Sequence, residues 1–348
     1  MRAALFQSPG EPLLIDRVPD PEPGPRDLVL RVRACGICGS DLHLADLASE
    51  TGGLRPLCRG AVMGHEFSGE VVDTGREIAG EWRRGERVTA LPTLSCGRCA
   101  ACLNGRPHRC AGLSLVGIGA VHGGYAEYVR VSAHDTLRLP DSVDDHHGAL
   151  VEPLAVGLHA VHRARLERGD DILVIGAGPV GLAVALWSRF FGARNVVVSD
   201  FAADRRARAL ELGATACVDA QAGNVVGQFK EIAGGRPQVV FDCVGVPGSQ
   251  QQAIDCAPAD GRVVIVGLCM QPDRIVPVKA MTKELELLYA YCYVRKDFGF
   301  TIDMLAAGRI DPSPMLSGTV GFDAFAGTFE RLKHVKSDCK VLLEPWRE

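Results

Sequence analysis

Ile172-Leu-Val-Ile-Gly-Ala-Gly-Pro-Val-Gly181 is the stretch on which the fold turns. Four consecutive apolar residues, 172–175, predict a strand buried on both faces. Three glycines follow at G-x-G-x-x-G spacing, and the apolar pattern resumes as a helix over 182–191. Each glycine has a separate physical task. Gly176 permits a tight turn, Gly178 lets the backbone approach a pyrophosphate, and Gly181 allows close packing of helix on strand. The helix N-terminus then offers free N–H groups to phosphate charge, so Gly176, Gly178, Pro179, Val180 and Gly181 are candidate cofactor contacts. With 40 glycines in 348 residues the spacing alone is weak evidence, and a generic strand-to-helix turn is the bland alternative. The strand before it and the helix after it favour the nucleotide reading.

Working outward, the same strand–turn–helix pattern recurs. Apolar runs at 196–199, 239–242 and 263–266 alternate with helix-like segments such as 203–212. Gly192 and Gly213 stand where left-handed C-terminal caps belong. Buried strands alternating with helices predict an α/β domain with a doubly wound parallel sheet. Asp200 ends one of these strands, 24 residues after Gly176. A carboxylate there accepts hydrogen bonds from both ribose hydroxyls and repels a 2′-phosphate, which favours NAD over NADP. Arg205 and Arg206 count against this, since either is placed to reach a phosphate. Toward the N-terminus the pattern changes. From residue 1 to about 152, short strand-like runs (27–34, 69–73) punctuated by Gly and Pro predict a mostly β domain.

Composition sets the outer bounds. A chain of 348 residues is about twice a typical domain, and 47% hydrophobic with 23% charged residues is the balance of a globular protein. A formal charge of −4 argues against nucleic acid or anionic lipid as a partner. The uncharged stretch 172–188 is broken by glycines and a proline, so no membrane span is predicted. The N-terminus lacks the apolar core of a secretory signal, so the cytoplasm is the expected location.

Thirteen cysteines without an export signal point to metal rather than disulfides. Cys96, Cys99, Cys102 and Cys110 stand within fifteen residues. Four thiolates at that spacing surround one tetrahedral zinc and close its shell, which makes the site structural. Iron–sulfur ligation also uses short cysteine spacings and stays open. A DNA-binding finger is disfavoured, because no basic recognition helix follows. A second set is Cys35-Gly-Ile-Cys-Gly-Ser-Asp-Leu-His43 with Gly64-His-Glu66. Cys38, His65 and the adjacent carboxylate form a mixed N/S/O donor set that suits zinc with an open position. Glu152, in Leu150-Val-Glu-Pro-Leu, is placed to reach the same ion, while Cys35 reads as a small buried side chain.

Taken in this order, these segments resemble the zinc-dependent medium-chain alcohol dehydrogenases, over essentially the whole chain. Gly123-Gly-Tyr-Ala-Glu-Tyr-Val129, Phe241-Asp-Cys-Val-Gly245 and Val264-Ile-Val-Gly267 add to the resemblance. It implies a GroES-like β-rich catalytic domain over 1–153 with a structural zinc lobe, a Rossmann domain over 154–293, and a return to the catalytic domain over 294–348. An active site in the cleft is implied as well. By the same resemblance Cys38, His65, Glu66 and Glu152 are catalytic zinc ligands, Ser40 and His43 a proton relay, and Val244 and Gly267 further NAD contacts. Two zinc ions per subunit and NAD are the implied cofactors. A small-molecule alcohol is the implied substrate, and a homodimer or homotetramer the implied assembly. The run 284–293 is expected to form an apolar edge strand able to pair with another subunit.

The reaction implied is transfer of a hydride from an alcohol to NAD, after zinc has brought the alcohol's proton within reach of neutral pH. The branch most resembled contains polyol, threonine and butanediol dehydrogenases. Polyol members carry a tyrosine just after the relay histidine and an arginine before the returning helix, where this chain has Leu44 and Tyr293. Leucine offers no hydrogen bond to a sugar-alcohol hydroxyl, so a secondary alcohol with an apolar part is expected. The loop 46–62 is longer than its counterpart in many relatives and is expected either to shape the entrance or to be a tolerated insertion. A non-catalytic nucleotide-binding protein, a dismutase-type enzyme and a zinc-independent quinone reductase are the weaker alternatives.

Overall fold

The computed structural model describes all residues except 52–54, 79, 120, 336 and 348. The expectation for the loop 46–62 therefore falls partly outside the described residues. The chain forms two compact units, one of Met1–Glu152, Tyr293–Arg309 and Leu316–Glu348, the other of Pro153–Cys292 and Ile310–Met315. Three details differ from the expected boundaries, the smallest being that Pro153 belongs to the second unit. Tyr293 belongs to the first unit, where its ring stacks edge-on against Phe298 at 4.7 Å. Residues 310–315 belong to the second, where the turn Ser313–Met315 packs on the helix Ala203–Glu211.

The second unit is built on a six-stranded parallel sheet. Its order is Ala216–Asp219, Asn195–Asp200, Asp171–Ile175, Val239–Asp242, Arg262–Ile265, Glu286–Tyr289. Ile172, Leu173 and Val174 are wholly buried, as a central strand covered on both faces requires. After Asp171–Ile175 the chain winds first to one side and then returns to the other. The C-terminal end of this strand, where Gly176 begins the turn, is thus the topological switch point at which such sheets bind ligands. Gly192 and Gly213 follow their helices at φ +93° and +95°, as left-handed caps. The expected edge strand over 284–293 is shorter, Glu286–Tyr289, because Glu284 and Cys292 take positive φ and turn the chain at either side.

The first unit holds a seven-stranded sheet, and its register positions the candidate donor residues. Strand Asp27–Gly36 pairs antiparallel with Glu66–Thr74, with Gly36 opposite Glu66. The same strand pairs on its other side with Lys340–Leu343, with Leu342 opposite Gly36. Continuing both registers by a residue or two brings the segments holding Cys38, His65 and Lys340 together, although they are far apart in sequence. Beneath them lies a core that includes Leu28, Leu30, Phe67, Tyr125, Phe325 and Phe329. Among the described residues no helix is long and apolar enough to cross a membrane.

Candidate active site and metal centres

Cys38 caps the seven-residue helix Gly39–Ala45, and its backbone N–H donates to the Asp41 carboxylate at 3.2 Å. Asp41 is fully buried and accepts a second hydrogen bond from the Tyr125 hydroxyl. Its Oδ1 lies 3.1 Å from His65 Nδ1. That contact assigns the proton to Nδ1 and turns Nε2 toward the donor cluster, the arrangement in which a carboxylate orients a metal-binding imidazole. Burial opposes charge on His65, whereas Asp41 and Cys38 favour it, and the ring is held well above the ordinary imidazole range. The field at this ring therefore favours positive charge, which a bound cation also supplies.

One donor atom each from Cys38, His65 and Glu66 lie within 4.8 Å of one another. Glu66 is 1% exposed; one of its oxygens pairs with Lys340, and the other is buried with no partner. An orphaned buried carboxylate oxygen facing a thiol and an imidazole is the donor set a zinc ion requires. Lys340 is wholly buried and also donates to the Ile37 carbonyl at 3.3 Å. Burial lowers its ammonium pKa, but the Glu66, Cys38 and Glu152 charges outweigh this and raise it above the ordinary lysine range. Glu152 stands beside this group, outside the set of mutually close donors. Burial pushes its carboxyl up to about 7, the His65 charge opposes that, and the Tyr293 hydroxyl donates to it.

The remaining expected residues separate. Ser40 Oγ lies 3.5 Å from His65 Nε2, at the cluster, while His43 is exposed on the same short helix. Cys35 is wholly buried, and burial drives its thiol well above the ordinary range, so it is inert. Leu44 requires a correction. It is 4% exposed and belongs to the core of the first unit with Leu47 and Leu57, so it is not placed to meet a substrate hydroxyl. Sequence reasoning passed over Asp41, Lys340 and the role of Tyr293. Only Asp41 carried a local signal, as the carboxylate inside the Cys38–His43 run.

The four cysteines also come together, their sulfurs all within 4.8 Å. Tetrahedral zinc with bonds of about 2.3 Å needs sulfurs roughly 3.8 Å apart. Cys96 and Cys102 are 3.9 Å apart, and Cys99 and Cys102 3.5 Å. Backbone N–H groups point at the sulfurs, Cys99 N to Cys96 Sγ at 3.3 Å and Cys96 N to Cys110 Sγ at 3.5 Å. Hydrogen bonds from the Arg98 and Cys99 backbone pull the Cys96 thiol down to about 6, while burial pushes Cys102 up to about 11. The lobe is tied to the sheet through Asp135, which accepts from Thr93 and Ser95, each at 2.9 Å.

In the second unit the glycine turn has the geometry its spacing implies. Gly176 has φ +96°, and a Cβ at Gly181 would stand 1.9 Å from the Gly176 carbonyl oxygen. A Cβ at Gly178 would meet nothing within 4 Å, so the fold leaves the space beside this backbone open. The helix Pro179–Phe190 begins immediately after it. Asp200 is 8% exposed and accepts from Ala177 N at 2.8 Å and Ala202 N at 2.9 Å. Arg205 lies 3.8 Å from the same carboxylate. The Arg206 guanidinium is engaged by the Asp200 carbonyl at 2.8 Å and the Asp219 carboxylate at 3.0 Å. Val244 is partly exposed beside Gly176, and a Cβ at Gly267 would stand 2.3 Å from Gly245 N. Val244 follows the strand next to the switch-point strand, and Gly267 follows the strand after that.

Comparison with known proteins gives concordant matches. The family model of the alcohol dehydrogenase GroES-like domain matches residues 24–141, and that of the zinc-binding dehydrogenases matches 179–307. L-threonine 3-dehydrogenase of Chelativorans sp. (strain BNC1) is 32% identical, covering 96% of each chain. Sorbitol dehydrogenase of Bacillus subtilis is 29% identical over 100% of this chain and 98% of that one. A solved structure from Sinorhizobium meliloti 1021, described as a zinc-binding dehydrogenase and bound to NADP, superposes with a TM-score of 0.87 at 34% identity, covering 99% of each chain.

Proposed function

The chain belongs to the zinc-dependent medium-chain alcohol dehydrogenase family and is an alcohol oxidoreductase using zinc and a nicotinamide cofactor; from that premise we propose that it oxidises a secondary alcohol with NAD. The single observation carrying this reading is the buried triad of Cys38, His65 and Glu66 donors, with an orphaned Glu66 oxygen and the Ser40 hydroxyl beside it. Cys38, His65 and Glu66 would hold one zinc ion, and Cys96, Cys99, Cys102 and Cys110 a second, structural one. Bound, the catalytic ion would supply a Lewis acid with an open position and the nicotinamide an acceptor for the hydride.

The chain's own residues do the rest. Asp41 fixes the His65 ring, and Lys340 fixes Glu66. Ser40 Oγ takes up the alcohol proton as it hands its own O–H proton on toward His43, which is exposed and releases it to solvent. Oxidation should therefore speed up as pH rises, because it releases a proton. A His43→Gln enzyme should lose up to about 10²-fold in rate at pH 7 with unchanged zinc content, the low end of what a positioned acid–base group supplies. Full rate in that variant at pH 7 removes His43 from the relay.

Gly176, Gly178, Pro179, Val180, Gly181, Val244 and Gly267 would cradle the dinucleotide, and Asp200 selects NAD. Its buried carboxylate repels a 2′-phosphate, and Arg206 is already engaged by Asp200 and Asp219. Arg205 stays close to that carboxylate and is the one candidate phosphate contact. Asp200→Ala should lower kcat/KM for NAD by about 10- to 100-fold, the worth of charge-assisted hydrogen bonds, and narrow the gap to NADP. An enzyme that prefers NADP before mutation overturns the assignment.

The substrate reading rests on Tyr293, which stands where polyol members carry an arginine. Tyr293 is 4% exposed, so it offers further substrate hydroxyls less hydrogen bonding than that arginine would. A cyclic or aliphatic secondary alcohol should exceed sorbitol in kcat/KM by about tenfold or more, since one unpaired polar group suffices for that ratio. Metal analysis combined with an alcohol panel followed at the NADH absorbance tests the whole proposal, and a clear preference for sorbitol rejects the substrate class. A homodimer or homotetramer is part of the proposal, supported by the exposed edge strand Glu286–Tyr289 with Tyr289 at its end. A cytoplasmic location is too, since a reducing compartment suits thirteen cysteines, five of them assigned to metal.

A further inference from the structure

Asp242 is a buried carboxylate that no step of the proposed reaction uses. It is 1% exposed and ends the strand Val239–Asp242, which lies next to the switch-point strand. A carboxylate so placed is costly unless hydrogen bonds satisfy it. Its Oδ1 accepts from Val244 N at 3.0 Å, and its Oδ2 accepts from Ser249 Oγ at 2.7 Å. The backbone carbonyl of the same residue accepts from Val266 N and Gly267 N, each at 2.9 Å. One residue therefore grips both the loop after its own strand, 243–248, and the start of the loop after Arg262–Ile265.

These two loops meet with no side chain between them. A Cβ at Gly245 would stand 2.5 Å from Leu268 N, and one at Gly267 would strike Gly245 N. The loop 243–248 also leans on the glycine turn. Cys243 N donates to the Ile175 carbonyl at 2.9 Å, and a Cβ at Gly176 would meet Val244 Cγ2 at 2.8 Å. Turns at the ends of three neighbouring strands are thus locked together around Asp242, at the end of the sheet where such folds bind ligands. Contacts this close leave no slack, so Val244 cannot shift without moving Gly176 or Gly245.

Resting on the proposed dinucleotide cradle, we propose that Asp242 is a positioning residue for the cofactor: its carboxylate, held by Ser249, fixes the Val244 backbone against the Gly176 turn and so sets how tightly the dinucleotide binds. Asp242 acts through Val244.

The test measures the Kd of NADH for the zinc-loaded enzyme by fluorescence, beside the alcohol assay. Asp242→Leu is similar in volume but offers no acceptor. It should raise the Kd about tenfold or more, the worth of a hydrogen bond to a charged group, and should raise KM for NAD more than it lowers kcat. Asp242→Asn keeps an acceptor for Val244 N, and its amide N–H can donate to Ser249 Oγ, which still reaches the Val246 carbonyl at 2.8 Å. That variant should bind NADH nearly as tightly as the parent. Ser249→Ala frees one carboxylate oxygen and should raise the Kd severalfold in the parent but add nothing in Asp242→Leu. A parent-like Kd in folded Asp242→Leu overturns the proposal, as does a loss in Asp242→Asn as large as in Asp242→Leu. A parent-like Kd in Ser249→Ala also overturns it, and that arm decides the matter even if Asp242→Leu does not fold. Gly178→Asp is the separate control, because it puts a carboxylate into the open space beside the turn. Undiminished NADH binding in that variant means that the cradle itself is wrongly assigned, whatever the Asp242 variants do.

Discussion

A Cys38→Ser enzyme should keep no more than about 10⁻³ of the parent kcat/KM for alcohol, because losing a Lewis acid worth several kcal/mol costs tenfold for every 1.36 kcal/mol. It should also carry one metal equivalent per subunit where the parent carries two. The reasoning is chemical. Serine's hydroxyl is a poor replacement for a thiolate, and the remaining His65 and Glu66 leave the ion only two protein ligands. Cys110→Ser should give the complementary result, with one equivalent lost from the four-cysteine lobe and destabilisation as the leading effect, since binding at such a site is folding free energy. Metal analysis by plasma emission, read beside the alcohol assay, separates the two. Parent-like turnover in Cys38→Ser rejects the catalytic site, and two retained equivalents in both variants reject both sites.

Lys340→Met should destabilise the first unit by about 3–5 kcal/mol, the usual cost of removing one partner from a buried ion pair. The Lys340 and Glu66 side chains are each 1% exposed, so water cannot compensate what remains. Lys340 also faces the charges of Cys38 and Glu152, which would lose their common cation. Since a bound divalent ion supplies part of that missing charge, the loss should be larger after chelation than in the loaded protein. The double variant Lys340→Met/Glu66→Gln should recover much of the difference, because it buries no unpaired charge. Calorimetry on the loaded and chelated forms reads each of these outcomes. A Lys340→Met protein that melts with the parent in both forms shows that the pair does not hold this part of the sheet.

The residues in these two experiments differ in how visible they are in the sequence. Cys38 stands in a short run with Ser40, Asp41 and His43, and the chemistry of such a run is apparent from residue types and spacing. Lys340 gives no such sign. It lies 274 positions from Glu66 and meets it only because Lys340–Leu343 pairs with the strand that also pairs with Glu66–Thr74. Leu44 shows the reverse error: its place beside the relay histidine suggested a residue that a substrate hydroxyl would meet, whereas the helix turns it into the core. A helix of seven residues changes direction by about 100° per residue, so neighbours in sequence face different surroundings.

By itself the sequence determined the parallel sheet with its glycine turn and the two groups of metal-type donors. These depend on local patterns: apolar runs that must be buried, glycines where side chains do not fit, and cysteines close enough along the chain to meet around one ion. Only the tertiary structure decided which carboxylate stands with Cys38 and His65 and which cation balances it. Those choices depend on strand register and on helix return across most of the chain's length. The spacing of residues in sequence carries no information about which charges come to share a buried site there, where the low dielectric makes every unpaired one costly.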